Sequence, residues 1–377
     1  SVQVSYKKQT LFCIMMILIT LVIVEGGVRA LDLVNLYDCS FVNHELFTNI
    51  TKAEKNSMCY EYTHIKYDIK GAIEVPTPKQ GKYININSDG FRGNENNFQN
   101  DDYKIFFLGG STAFGHVSSN DNQTISALLE KEFTDGKLKV KVVNAGVPGA
   151  DSMDERYFIE KYITKYSPNM IIMYDGWNDA NKWDYKYSYE EFESQSWYTN
   201  HPPLVNDEID IIPKTGITTF FRQIDYKTGQ GIAQALHDLI HEQKKIFEGT
   251  VNEDHLSKVE SRLQNNWSQI CEEGQKKDFQ VINILQPILG TSNRTPHNSE
   301  NFIASETQLN LISFKLNEKQ YYPCDNVYDL RTVFENMNDI PIYFDQGHMT
   351  DSGNKIIAND IFKKILPIII EDIQNPP

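Results

Sequence analysis

The stretch Ile105-Phe106-Phe107-Leu108-Gly109-Gly110-Ser111-Thr112-Ala113-Phe114-Gly115 decides how this chain is read. A short apolar run that breaks at two glycines reads as a buried strand, because burial on both faces leaves no room for polar alternation. The glycines allow a tight turn or a close backbone approach that a side chain would block. Ser111 then stands just past the carboxyl end of a strand, where open α/β sheets place their ligand crevice.

Working outward, the same strand-then-helix alternation recurs. Thr124 to Phe133 has helical spacing, Leu138 to Val143 reads as a strand running into Asn144-Ala145-Gly146, and Ser152 to about Lys165 is helical. Asn169 to Tyr174 is a third strand, ending in Asp175-Gly176-Trp177-Asn178-Asp179, and Phe279 to Leu285 is a fourth, leading to Gln286-Pro287. Helices are predicted over Gly231–Ile246, Leu256–Cys271, Glu306–Glu318 and Asp329–Met337, with a final one from Asp351 to about Ile373 that Pro367 bends or divides. Alternating short strands and helices predict an α/β fold whose mostly parallel sheet is covered on both faces.

Three regions follow. Residues 1–30 form a cytoplasmic tip with a membrane anchor or signal, 31–102 a small strand-and-loop extension, and 103–377 the α/β domain with an excursion at about 181–275. In the extension, Tyr60-Glu61-Tyr62 and Lys82 to Asn87 alternate like short strands, and Asp89-Gly90-Phe91-Arg92-Gly93 is a turn signal. Phe91 reads as an anchor on the main domain and Arg92 as the partner of a carboxylate. The excursion opens with Trp183, Tyr185, Tyr187, Tyr189, Phe192, Trp197 and Tyr198, which read as packing over the sheet edge or as the wall of a substrate site.

The formal charge of −15 over 377 residues excludes a nucleic-acid backbone as partner, since that needs a basic footprint. Lys7 and Lys8 precede the apolar run Leu11 to Val24, which extends imperfectly through residue 30. The run is shorter than the roughly 20 residues that cross a bilayer comfortably, so it fits a secretory signal or a short anchor. Gly27-Val28-Arg29-Ala30 is a poor cleavage site, which favours a single-pass anchor with the C-terminal domain outside. Acceptor triplets at Asn49, Asn122, Asn266 and Asn293 support export. Of five cysteines, Cys13 lies in the apolar run, leaving at most two disulfides, with Cys39–Cys59 and Cys271–Cys324 the first pairing to test and free thiols the alternative.

Ser111, Gly146, Asn178 and the pair Asp345 with His348 all follow apolar runs, so their polar groups converge on one sheet edge. A serine hydroxyl becomes a nucleophile when a neighbouring imidazole takes its proton, and a carboxylate on the other ring nitrogen fixes the tautomer. His348 is the candidate base, Asp345 its orienting acid and Ser111 the nucleophile. The Ser111 and Gly146 N–H groups and the Asn178 amide are the candidate oxyanion donors.

These blocks resemble those of the SGNH or GDSL-like esterases and lipases. Gly109-Gly110-Ser111-Thr112 is similar to the first block, Asn144-Ala145-Gly146 to the second, Gly176-Trp177-Asn178-Asp179 to the third and Asp345-Gln346-Gly347-His348 to the last. Asn87 to Gly93 before the serine block resembles secreted or anchored branches. The first block departs from its commonest form at Gly110, where aspartate is usual. The resemblance implies a three-layer α/β/α fold, an open site, acyl chemistry on an ester, and no metal or organic cofactor. The function read from the sequence is a serine esterase or O-acyltransferase acting on acyl esters of cell-surface glycans or lipids. The alternative is an inactive surface scaffold or accessory subunit of a membrane complex.

Overall fold

The computed structural model describes residues 5–30, 50–70, 73–181, 253–295, 297, 306–316 and 326–375. The chain divides into two compact units, residues 1–39 with 204–248 and residues 40–203 with 249–377. In the first, the described residues form helix α1 (Tyr6–Ala30). Its segment Tyr6–Ile23 is long and apolar enough to cross a membrane, and Leu11, Ile17 and Val22 are exposed. Such a helix fits a signal or an anchor sequence. The aromatic run from Trp183 to Tyr198 and the predicted helix Gly231–Ile246 lie outside the described residues.

The second unit opens with helix α2 (Lys52–Thr63), started by a capping box in which Thr51 accepts from the Glu54 N–H and Glu54 reaches back to the Thr51 backbone. Tyr60-Glu61-Tyr62 therefore lies in a helix and not in the strand its alternation predicts. Strands β1 (Tyr67–Lys70) and β2 (Ile73–Pro76) form an antiparallel pair. The α/β elements follow as β3 (Tyr103–Gly109), α3 (Ser111–Phe114), α4 (Ile125–Asp135), β4 (Val140–Asn144), α5 (Ser152–Lys161), β5 (Met170–Asp175) and α6 (Trp177–Asn181). After the excursion come α7 (Glu253–Lys277), β6 (Gln280–Leu285), α8 (Glu306–Ser313), β7 (Val327–Asp329) and α9 (Asp351–Gln374).

Strands β3 to β7 make one parallel five-stranded sheet in the order β4-β3-β5-β6-β7. Alternate side chains serve opposite layers. Phe106, Leu108, Ile171 and Met173 pack with Phe158 of α5 and Leu263, Trp267 and Ile270 of α7. Ile105, Phe107, Ile172 and Tyr174 pack with Leu129 and Phe133 of α4 and Ile357, Ile361 and Ile365 of α9. The fold is a three-layer α/β structure, and the continuous apolar runs of β3 and β5 follow from burial on both faces. The chain steps from β3 to one side for β4 and crosses back to the other for β5, so winding reverses at β3. The crevice of a parallel sheet opens at the carboxyl ends beside such a reversal, which is where β3 delivers Ser111.

Other predicted elements differ as well. Helix α9 runs undivided through Pro367, because the missing N–H costs one bond while Ile361, Ile365 and Ile369 are buried on both sides of it. Asp329 to Met337 is the end of β7 followed by turns, with Leu330 and Phe334 buried. The three residues of β7 are too few to show a period.

The disulfide expectation is corrected. No two cysteines among the described residues stand at bonding distance, which leaves the Cys39–Cys59 and Cys271–Cys324 pairing without support. Cys39 and Cys324 lie outside the described residues, Cys13 is free, and Cys59 and Cys271 are buried. Asn266 is also corrected as a glycan acceptor: it is buried, and its Nδ2 donates to Ser152 Oγ at 2.9 Å, leaving no room for a sugar on that nitrogen. Asn122 and Asn293 are exposed, and Asn49 lies outside the described residues.

Gly146 is the tightest backbone junction near the site. A Cβ there would fall inside contact distance of the Phe114 N and within 2.8 Å of the Ala113 carbonyl carbon, so α3 rests directly on bare backbone. Gly146→Ala is expected to destabilise the protein by about 1–3 kcal/mol through overpacking, read as a lowered midpoint in thermal or denaturant unfolding.

Candidate active site

Gly109 ends β3 with φ 147°, a conformation that disfavours side chains, and a Cβ there would come within 2.7 Å of the Tyr174 carbonyl. The chain turns at once into the single turn of α3, with Ser111 as its first residue. Behind it, buried Arg92 gathers the carbonyls at the far end of that turn: its Nη1 donates to Phe114 O at 3.1 Å and Gly115 O at 2.6 Å, while Nε pairs with Asp121 at 2.8 Å. Phe91 is 1% exposed and packs on Phe106 and Phe158. The Phe91-Arg92 turn thus reaches the α/β core and fixes the element that carries Ser111.

The second half of the site comes from the loop before α9. Thr350 caps that helix by accepting from the Gly353 N–H, and a bridge pairs Tyr343 with Met349. In the loop between, Asp345 Oδ1 accepts from the backbone N–H of Gly347 at 2.9 Å and of His348 at 2.7 Å. Its other oxygen, Oδ2, lies 2.7 Å from His348 Nδ1, and His348 Nε2 lies 2.8 Å from Ser111 Oγ. Partial burial works to raise the Asp345 pKa, but the His348 ring and the backbone donors outweigh it and hold the carboxyl down to about 2. An ionised carboxylate only accepts, so Nδ1 carries the hydrogen and Nε2 is left to accept from the serine. That relay can remove a proton from the hydroxyl as it attacks an electrophile. The His116 ring stacks obliquely on His348, 4.9 Å between centroids; burial, and then the charge of His348, hold its pKa down to about 3, so it packs there as a neutral ring.

Ser111, Asn178, Asp345 and His348 line one cavity of about 390 Å³. Asn178 Nδ2 donates to Ala150 O at 2.6 Å, which leaves its second amide hydrogen for another acceptor. A Cβ on residue 110 would collide with that amide nitrogen and sit 3.1 Å from Ala150 O. Glycine at position 110 leaves the space in which Asn178 lies against the Ser111 turn. Gly146 departs from expectation: its N–H donates to Asn144 Oδ1 at 3.1 Å, and it does not line the cavity. Its role is to seat α3, and Asn144 ties the same junction by donating to Phe114 O at 3.2 Å. Three residues on, Gly149 has φ 85° and open space where a Cβ would be.

Sequence reading missed the support beneath the Trp177–Asn178 segment. Asp151, Glu155, Asp175 and Asp179 are all buried there. Trp267 Nε1 donates to Asp175 Oδ2 at 2.6 Å, Ser152 Oγ to Asp179 Oδ1 at 2.5 Å, and Arg262 to the Asp179 carbonyl at 2.9 Å. Desolvation leads each shift: with the charge of Asp175 it pushes Glu155 well above the carboxylate range and Asp179 up to about 8, while hydrogen bonds from Glu155 and Trp267 limit Asp175 to about 6. Raised folded-state pKa values mean that the folded protein binds more protons than the unfolded chain between the carboxylate range and these values. The contribution of this cluster to stability is therefore present in full below the carboxylate range and is lost as pH rises through about 6 to about 8. Unfolding midpoints measured across that range are expected to fall as pH rises, and Glu155→Gln is expected to flatten the slope. Nothing in residue type or spacing announces this cluster, because acidic residues read equally well as a solvated face. Among the described residues no group of three or more His, Cys, Asp or Glu is arranged to hold a metal ion.

No family model matches the chain, and no curated protein does. Among solved structures it is similar to the acetyl xylan esterase AlAXEase, at 12% identity over 70% of this chain and 99% of that one, with a TM-score of 0.37. It is similar to the psychrotrophic esterase EstA from Pseudoalteromonas sp., at 9% identity over 71% and 99% of the two chains with a TM-score of 0.35. A protein of Desulfitobacterium hafniense DCB-2 assigned to the lipolytic G-D-S-L family matches at 14% identity over 70% and 99%, with a TM-score of 0.36. At these values the likeness is distant and says nothing of substrate or mechanism.

Proposed function

We propose that this protein is a serine esterase or O-acyltransferase acting on acyl esters of glycans or lipids at a cell surface. The observation that carries the reading is the chain of contacts from Asp345 through His348 to Ser111, at 2.7 and 2.8 Å, on the cavity at the carboxyl edge of the sheet. His348 takes the Ser111 proton as Oγ attacks the ester carbonyl, and Asp345 stabilises the imidazolium. The Ser111 N–H, free of an intrahelical acceptor at the first position of α3, and the second Asn178 amide hydrogen donate to the developing oxyanion. His348 then protonates the leaving alkoxide, and water or an acceptor hydroxyl releases the acyl group. A scaffold has no use for a serine and histidine in hydrogen-bond contact beside an open cavity. Helix α1, with Lys7 and Lys8 before its apolar run, anchors the chain with the α/β unit outside in this reading.

The test is a panel of acetyl, butyryl and longer acyl esters of simple alcohols and sugars, with acid release and transfer to added hydroxyl acceptors both measured. Turnover of at least one ester class is expected. A folded protein that cleaves and transfers none of them contradicts the reading.

A further inference from the structure

The acyl chemistry above gives no part to Gln286, a buried polar residue of the same cavity. Strand β6 ends at Leu285, and the next residue, Gln286, is pinned to the end of β5 by its N–H, which donates to Asp175 O at 2.8 Å. Its side chain lines the cavity with Ser111, Thr112 and Trp177, yet it is only 3% exposed. Thr112 Oγ1 donates to Gln286 Oε1 at a long 3.5 Å, which turns the amide nitrogen away from that hydroxyl. Among the described residues Nε2 has no acceptor. A buried amide hydrogen without a partner carries an uncompensated desolvation cost, which an acceptor atom of a ligand in the cavity would offset.

The wall around it adds a second feature. Trp177 is partly exposed and faces bare backbone at Gly347, where a Cβ would come within 3.3 Å of the indole. The cavity wall therefore combines the half-buried indole of Trp177 with an unpaired donor on Gln286, in the same cavity as Ser111. A plain hydrocarbon chain would satisfy the indole and leave Nε2 unpaired. A group with hydroxyl or ether oxygens on an apolar ring satisfies both.

We propose that Gln286 is a specificity-determining residue that donates from Nε2 to an acceptor oxygen of the substrate. The cavity then selects esters carrying an oxygenated group, as in an acylated sugar, over esters of unfunctionalised hydrocarbon. This rests on the assignment of Ser111 as nucleophile. Discrimination of this kind is large because the wrong substrate strands a buried polar group.

The experiment compares kcat/KM for a mono-O-acetylated methyl glycoside and for cyclohexyl acetate, which share acyl group and ring size and differ in ring and hydroxyl oxygens. The wild-type protein is expected to prefer the glycoside by about 10-fold or more. Gln286→Leu is expected to lower kcat/KM for the glycoside by about 10- to 100-fold and to change that for cyclohexyl acetate by less than about threefold. Gln286→Met, closer in length, is expected to behave alike, and the wild-type preference is read without any substitution. Equal losses on both esters in the variants, or no wild-type preference, overturn this inference while leaving the esterase reading intact. A wild-type protein that cleaves neither ester and is not modified at Ser111 by a fluorophosphonate overturns both.

Discussion

Ser111→Ala is expected to lower kcat/KM for any ester the protein cleaves by about 10⁵-fold or more, with folding unchanged. The side chain is half-buried at the cavity and its hydroxyl approaches His348 Nε2 at 2.8 Å, so its loss opens no core void. What disappears is the covalent path, since alanine cannot attack, and the remaining donors assist only direct attack by water. A purified variant retaining more than about a tenth of wild-type turnover would place the nucleophile elsewhere.

The second large effect is at Asp345. Asp345→Asn keeps the shape of the side chain but exchanges an acceptor for an amide. The Asx turn that holds Gly347 and His348 needs only Oδ1, so an asparagine oxygen maintains it. The amide nitrogen then faces His348 Nδ1 and donates to it, which moves the ring hydrogen to Nε2. The ring presents a donor to Ser111 where it must present an acceptor. A fall of about 10⁴-fold in kcat with little change in KM is expected, measured at a pH where wild-type turnover is maximal. The Asp345→Asn, Ser111→Ala double variant is expected to be no worse than Ser111→Ala alone, because both act on one proton transfer. Additive losses would mean that Asp345 acts outside the relay.

The parts of this account that sequence carried are those set by local pattern. Continuous apolar runs ending in glycine or polar residues mark strands buried on both faces, and Ser111, Asn178, Gln286 and His348 all sit just past such runs or near-runs. Local pattern fails where three dimensions decide. Gly146 reads as a donor beside the substrate, yet only the packing of α3 shows that it is a seat for backbone. Asn266 matches an acceptor triplet, but the triplet says nothing about the side of α7 it falls on, and that side faces Ser152. Arg92 was legible as a carboxylate partner, while its grip on the Phe114 and Gly115 carbonyls needed a contact across more than twenty positions of chain. The buried acids below Trp177 look in sequence like ordinary surface charge. Gly110 is the instructive case: against the family pattern it reads as a missing group, and in the fold it is the space into which Asn178 leans.

The central claim is that Ser111 Oγ is activated for covalent attack by His348. The most direct measurement is treatment of the folded protein with a fluorophosphonate, followed by digestion and mass analysis of the peptide containing Ser111. The account predicts one phosphonyl adduct on Ser111 that is abolished in Ser111→Ala and strongly slowed in Asp345→Asn. Labelling of a different residue, or of none in a protein that still cleaves esters, would contradict it.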